Sequence, residues 1–269
     1  MKIAVCVKQV PDSWAEKKMA GGLLDRANVD AVLNDLDEYA VEEALRLVEA
    51  HSPTGASGEG SGHSITIISM GPDRATEAIR KALSMGADDA ILVTDPALSG
   101  SDALATSLVL ATVIGANDFD LILCGTESTD ARMSVIPAML AQRLGFAQLT
   151  FAGSISVVPE TSQITIARMT DVGVENMKAK LPAVVSVIEK INEPRYPSFK
   201  GIMASKKKTI EVKSLSDLGI DPDTVGMSAA WSEVKDAQAR PPRAAGVKVV
   251  DDGNGGNALV DFLVEKRVI

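Results

Sequence analysis

Along the first half of the chain, apolar positions alternate between short unbroken runs and helically spaced stripes. Residues 3–10, IAVCVKQV, form the first run; it is rich in β-branched side chains and closed by Pro11, so it predicts a buried strand. From Glu38 to Glu49, the positions Ala40, Val41, Ala44, Leu45 and Val48 recur at three- and four-residue spacing. That is an amphipathic helix, with Glu42 and Arg46 placed to pair one turn apart on another face. SITIISM (64–70), Gly71-Pro72-Asp73 and a helix through Ala78, Ile79, Ala82 and Leu83 that stops at Gly86 give a strand-helix unit. AILVT (90–94), a turn at SGSD (99–102), a helix from about Ala103 to Ala116, DLILC (120–124) and a further helix ending near Gly145 continue the alternation. Strands separated by helices imply an α/β fold with a doubly wound parallel sheet and right-handed crossovers.

From Thr150 the pattern changes to β-rich alternation: SISVV (154–158), QITIARMT (163–170), GVENMKAKL (173–181) and PAVVSVIE (182–189). These are expected as antiparallel edge strands. Beyond Asn192 apolar density falls and Pro, Lys and Gly rise, so residues 1–191 read as an α/β domain and 192–269 as an extended C-terminal arm. Its last dozen residues, ALVDFLVEKRVI, regain helical or strand spacing and need something else to dock on.

The composition is that of a soluble globular protein with one sizeable core: 269 residues, 46% hydrophobic and 23% charged. A net charge of -9 argues against a nucleic-acid partner, because phosphate backbones need a basic face. No apolar run reaches the roughly 18 residues that span a bilayer, and Lys8, Pro11 and Asp12 interrupt the amino terminus too early for a signal core. A cytoplasmic protein without membrane insertion is expected. Cys6 and Cys124 each lie in an apolar run and read as small buried hydrophobes, with no metal site implied. His51 and His63 bound the Gly- and Ser-rich stretch 51–64, which predicts a surface loop and solvated histidines.

Open parallel sheets bind ligands at the carboxyl ends of their strands. Here that rule selects Cys6 to Gln9, Met70-Gly71, and Cys124 to Asp130. The segment CGTESTDARMS places a glycine after a strand and a polar loop before a helix expected to start near Met133. Free N–H groups at such a helix start can hold a phosphate, with the Ser134 hydroxyl and the Arg132 charge in reach. Equally, Ser128, Thr129 and Asp130 can simply turn and cap the chain. Neither a P-loop, a G-x-G-x-x-G fingerprint nor a nucleophile elbow occurs, so no catalytic machinery is visible.

Five segments in order, VCVKQVPD (5–12), NDLDEYAVEEAL (34–45), MGPDRATEAIRKALSMGAD (70–88), LPAVVSV (181–187) and NEPRYPSFKGIMASKKK (192–208), resemble the electron transfer flavoprotein beta subunit. Arg168, Asp171, Gly173 and Glu175 fit the family pattern as well. The resemblance implies an adenine nucleotide alpha hydrolase-like fold without independent catalysis. It also implies a structural AMP in this chain and an alpha subunit that carries FAD. Acyl-CoA and other flavin dehydrogenases would deliver electrons to that FAD, for onward transfer to a membrane quinone oxidoreductase. Carried over by residue, the AMP site falls on Cys6, on Asn34, Asp35, Leu36 and Asp37, and on Met70. It continues over Gly125, Thr126, Glu127, Ser128, Thr129 and Asp130, then Ala131, Arg132, Met133, Ser134, Val135 and Ile136. The recognition loop that docks dehydrogenases falls on Pro197, Phe199, Ile202 and Met203, with Phe199 as its apolar anchor; the arm would dock on the alpha subunit.

The chain departs from the family pattern at Asp35, where proline is common, and at Met133, Val135 and Ile136, where polar residues often face the phosphate. Met169 replaces an acidic residue of some members, and 51–64 resembles an insertion. Backbone N–H groups, Ser134 and Arg132 would then hold the anion, opposed by an acidic strip of Asp35, Asp37, Glu127 and Asp130. Two alternatives stay open: a bifurcating relative with a second FAD in this chain, and a stand-alone ATP-binding sensor domain, which would have little use for a core-poor arm.

Overall fold

A computed structural model describes residues 1–52, 57–58, 61–238, 241, 243, 245–246 and 248–269. In chain order the strands and helices begin with β1 (Lys2–Cys6), β2 (Gln9–Pro11), β3 (Met19–Ala20), β4 (Leu23–Leu24), β5 (Ala31–Leu33), α1 (Asp35–His51), β6 (Ser64–Met70) and α2 (Thr76–Met85). Next come β7 (Asp89–Val93), α3 (Ala103–Gly115), β8 (Leu121–Gly125), α4 (Ile136–Leu144), β9 (Ala147–Val158), β10 (Gln163–Thr170), β11 (Gly173–Lys180) and β12 (Ala183–Val187). The remainder is α5 (Phe199–Ser205), β13 (Ile210–Lys213), α6 (Gly226–Ala229) and α7 (Gly255–Glu265).

One nine-stranded sheet runs in the order β11-β10-β9-β12-β8-β1-β6-β7-β13. It is parallel from β9 to β13, with antiparallel pairing at β9-β10 and β10-β11. Successive residues of β1 feed opposite cores: Ile3 and Val5 pack in the cluster that holds α1 and α2, whereas Ala4 and Cys6 pack in the one that holds α3 and α4. The sheet is therefore covered on both faces, and its inner strands are mostly apolar, with Ser69 and Ser186 buried among them.

Several expectations are corrected. IAVCVKQV is not one strand, because β1 stops at Cys6 and Gln9–Pro11 pairs with β5 in a separate two-stranded ribbon. The break leaves Val7 donating to Ile68 and frees the Lys8 backbone to turn toward α1. PAVVSVIE is not an edge addition; β12 lies between β8 and β9, parallel to both, and all five of its residues are buried. A strand buried on both faces belongs inside a sheet. His51 ends α1 rather than opening the loop, and part of the loop expected over 51–64 lies outside the described residues.

The boundary expected at residue 191 also moves. Residues 1–235 form one compact unit and 236–269 another. Within the first, β13 extends the sheet alongside β7, and Leu215 and Val225 are buried in the α3–α4 core. The second unit contains α7, on which Leu259, Val260, Phe262 and Val264 are exposed. No helix among the described residues is long and apolar enough to cross a membrane.

Candidate functional site

The chain runs from β1 toward β6 and β7 on one side and returns to β8 on the other, so the sheet's switch point lies between β1 and β8. Loops diverge there, and the resulting crevice is where such sheets take ligands. Cys6 and Cys124 are register partners at its floor, both buried with free thiols. The hydrogen bond with Cys6, together with burial, pushes the Cys124 thiol well up, so Cys124 serves as packing.

The crevice wall is built by α1 and the loop after β8. Asn34 is 1% exposed and joins them: its amide donates to the Glu127 carbonyl (2.9 Å) and to Asp37 (2.9 Å), and its oxygen accepts from Thr129 N–H (3.0 Å). Asp37 also accepts from the Lys8 N–H at 2.8 Å. Gly125 allows this junction, because a Cβ there would lie 2.5 Å from Asp37 Oδ1 and 2.8 Å from the Leu36 carbonyl carbon. On the far side, Thr126 donates its hydroxyl to the Val187 carbonyl at 2.6 Å and fastens the loop to β12.

The helix expected near Met133 begins at Ile136. Arg132 and Ser134 take left-handed φ values of 50° and 55°, which a right-handed helix cannot contain. Left-handed Ser134 followed by right-handed Val135 turns successive N–H groups toward one side, a nest suited to an anion. It opens directly into the first turn of α4, whose dipole adds to it.

Charge in the crevice differs from the expected acidic strip. Asp130 accepts from Lys8 Nζ at 2.8 Å and from Arg26 Nη2 at 2.6 Å, while Lys8 also reaches Ser128 Oγ at 3.2 Å. Glu127 accepts the Ser134 hydroxyl at 2.7 Å and lies 3.7 Å from Arg132. Burial pushes Asp37 up to about 7 against the hydrogen bonds from Asn34 and Lys8, which reduces its charge near neutral pH. Lys8 and Arg26 therefore pair with Asp130 and Arg132 lies beside Glu127, so these two acids of the strip do not face an incoming anion without a cation at hand.

The structure gathers Asn34, Asp37 and the loop from Gly125 to Ser134. Asp35 is exposed, Leu36 and Met70 are half-buried, Met133 is 57% exposed, and Ile136 packs into the α3–α4 core. Lys8 falls inside the strand end Cys6 to Gln9 that topology selects, without a role of its own there, and Arg26 has no sequence signal. Lys8 sits two residues past the end of β1; Arg26 lies in a segment without periodicity, held in part by Arg74, which donates to the carbonyls of Arg26, Ala27 and Val29. Pro197, Phe199, Ile202 and Met203 lie elsewhere, on and before α5, which packs on α2. Phe199 is 80% exposed there, and Ile202 and Met203 are exposed beside it.

Asp130 gives the site an acid-sensitive joint. Burial alone would raise its carboxyl, but the Lys8 ammonium and the hydrogen bonds from Lys8, Ser128 and Arg26 outweigh that and hold it at about 2. Its folded value lies below the ordinary one, so the stabilisation is complete above about pH 4 and is lost as pH falls toward 2. With both cations partly exposed, about 1 kcal/mol is expected. Urea melts at pH 5 and pH 2.5 should show the wild-type chain losing about that much more than Asp130→Asn; equal losses would show that the ion pairs contribute nothing.

Residues 21–218 match the model of the electron transfer flavoprotein domain family. The chain is 48% identical over 270 residues to an electron transfer flavoprotein subunit beta of Mycobacterium leprae, covering 99% of each chain. It is 34% identical over 277 residues to the protein of the same name from Megasphaera elsdenii, covering 100% of this chain and 98% of the relative. It is also 31% identical, over the full length of both chains, to the caffeyl-CoA reductase-Etf complex subunit CarD of Acetobacterium woodii.

Proposed function

The chain belongs to the electron transfer flavoprotein beta subunit family, whose members act in electron transfer, and from that premise we propose that it holds AMP and docks electron donors for a partner alpha subunit carrying FAD. The observation that carries the nucleotide reading is the nest at Ser134–Val135, placed at the switch point of the sheet, on a loop that carries Arg132 two residues before it and brings Lys8 and Arg26 onto Asp130. In this reading the N–H groups from Ser134 to Ile136 hold the phosphate, Arg132 leaves Glu127 to screen it, and the Asn34–Asp37 junction fixes the loop. The sheet is then of the adenine nucleotide alpha hydrolase type. The FAD of the alpha subunit supplies the redox chemistry, and this chain contributes binding and positioning without catalysis of its own. Electrons arrive from acyl-CoA and other flavin dehydrogenases in the cytoplasm and leave to a membrane quinone oxidoreductase.

Extraction and weighing of nucleotides from the co-expressed heterodimer tests the assignment. One AMP and one FAD per heterodimer are expected, and this chain alone should be colourless. Two FAD per heterodimer, or flavin absorbance in the isolated chain, would overturn AMP in favour of a bifurcating subunit.

Donor docking is assigned to α5. A Cβ at Gly201 would lie 2.4 Å from the Ser84 carbonyl oxygen, so α5 rests on α2 by a backbone approach that leaves Phe199, Ile202 and Met203 facing out. An aromatic anchor at an interface is worth ~2 kcal/mol or more, roughly thirtyfold in affinity. Phe199→Ala should raise the KM of a reduced acyl-CoA dehydrogenase for the heterodimer by about that factor, with nucleotide content and melting temperature unchanged. Unaltered KM with a several-degree loss of melting temperature would return Phe199 to the fold's own core.

A further inference from the structure

Arg195 lies four residues before Phe199, outside the nucleotide crevice, and makes the densest set of polar contacts in its part of the chain. Its guanidinium donates to both oxygens of Glu42, at 2.7 and 3.0 Å, and to both oxygens of Glu49, at 2.5 and 3.1 Å. Its own N–H also donates to Glu42 at 3.2 Å. Three residues earlier, the Asn192 amide donates to the Tyr39 carbonyl at 3.1 Å and to Glu43 at 3.0 Å. The strap from Asn192 to Arg195 is thus laced along one face of α1. Glu42 does not pair with Arg46 as its spacing suggests; it is buried and turned to the strap, where a fork-shaped cation satisfies both of its oxygens.

The geometry transmits this anchorage. Pro194 and Pro197 flank Arg195 and Tyr196, and each ring fixes its own φ while restricting the residue before it. Ser198 then caps α5 by accepting from the Gly201 N–H at 3.0 Å. At the far end of α5, Arg80 of α2 donates to the carbonyls of Ser205 and Lys208, and the Lys208 ammonium donates to the Ala87 carbonyl. A seven-residue helix has little stability alone, and this one leaves its apolar side chains to solvent. Both of its ends are held by arginine.

We propose that Arg195 is a positioning residue for donor docking: clamped between Glu42 and Glu49 of α1, it holds the start of α5 so that Phe199 is presented already ordered, and Arg80 holds the other end. The proposal rests on the docking reading of Phe199 and adds how the anchor is kept in place. A knob that is already rigid avoids the ordering cost that a free loop meets on binding. The clamp therefore acts on affinity and leaves electron transfer within the bound complex untouched.

The test uses the full heterodimer, with an acyl-CoA dehydrogenase reduced by its own substrate as donor. Removing Arg195 alone would strand the buried Glu42 carboxylate, so the variant is Arg195→Gln with Glu42→Gln, and Arg80→Gln is the second, independent release of α5. Each should raise KM for the heterodimer about fivefold with kcat unchanged. Placed in a Phe199→Ala background, Arg195→Gln/Glu42→Gln should add well under its own fivefold loss, because only Ile202 and Met203 are then left for the clamp to present. Unchanged KM in both releases, or losses that multiply with that of Phe199→Ala, would overturn the clamp while leaving docking by Phe199 intact. A Phe199→Ala heterodimer with wild-type KM would instead remove the docking reading itself, and the clamp with it.

Discussion

A chain cut after Ile191 is expected to be recovered insoluble, whereas one cut after Lys235 should fold. The first cut removes β13, which pairs with β7 from Ile210↔Ala90 to Lys213↔Val93. Four of the five residues of β7 are buried, so its loss would turn an apolar inner strand into an open edge, a template for aggregation. The same cut takes away Leu215 and Val225, each 1% exposed, together with the partly buried Leu218 and Ile220. Fully burying such a side chain is worth about 1.5–3 kcal/mol, and total stability is only about 5–15 kcal/mol. It also strands Glu42 in α1 without its arginine. The second cut removes only residues 236–269, a separate compact unit, and should leave the first unit's core whole. Soluble fraction and the circular dichroism melt of the two truncated chains decide the matter. Solubility and a cooperative melt for 1–191 within a few degrees of the full chain would show that residues 192–235 are dispensable. The 1–235 chain is further expected to fail to pair with the alpha subunit, through loss of the exposed apolar face of α7; pairing at full affinity would remove that role from 236–269.

The reason that boundary is hard to read lies in how little of the segment is apolar. Between Asn192 and Lys235 a few side chains, Leu215 and Val225 among them, are buried, and they are spaced too far apart to set up a period. β13 is IEVK, with two exposed residues, and becomes a strand because β7 offers an unpaired edge. By contrast, the inner strands declare themselves as apolar runs, since burial on both faces removes the alternation that would otherwise compete with a helix. The same logic makes AVVSV legible as an inner strand; its neighbours in sequence, with their alternating polar positions, favour the edge reading for the whole block. At the crevice, the strand ends are legible from topology, and Gly125 from its place after an apolar run. The left-handed turns at Arg132 and Ser134 are not, because neither is glycine and only the surrounding contacts hold them there. Nor is the pairing of Asp130 with Lys8 and Arg26, which joins positions more than a hundred residues apart.

Gly125→Ala should cost the heterodimer the AMP proposed for this chain before it costs the fold. The added Cβ would fall 2.5 Å from Asp37 Oδ1, 2.8 Å from the Leu36 carbonyl carbon and 2.9 Å from its oxygen. Two of these atoms are backbone of the first turn of α1, so no side-chain rotation relieves the contact, and the helix start must move away from β8. Asp37 would then separate from the Lys8 N–H, and Asn34 from the Glu127 carbonyl and the Thr129 N–H. Those are the bonds that set the loop from Glu127 to Ser134, on which the nest depends. Forcing a methyl into a packed site costs about 1–3 kcal/mol, and loss of the buried hydrogen bonds adds about 1 kcal/mol or more. At about 2–4 °C per kcal/mol for a chain of this size, the melting temperature should fall by roughly 5–15 °C. Bound AMP in the purified heterodimer should drop to a small fraction of one per complex. Gly115→Ala is the control: that glycine ends α3, and a Cβ there meets only Leu144 Cδ2 at an ordinary 3.6 Å. It should keep both nucleotide and melting temperature. A Gly125→Ala heterodimer with a full complement of AMP would show that the α1–β8 junction does not set the phosphate loop, and the site would have to be sought away from the switch point.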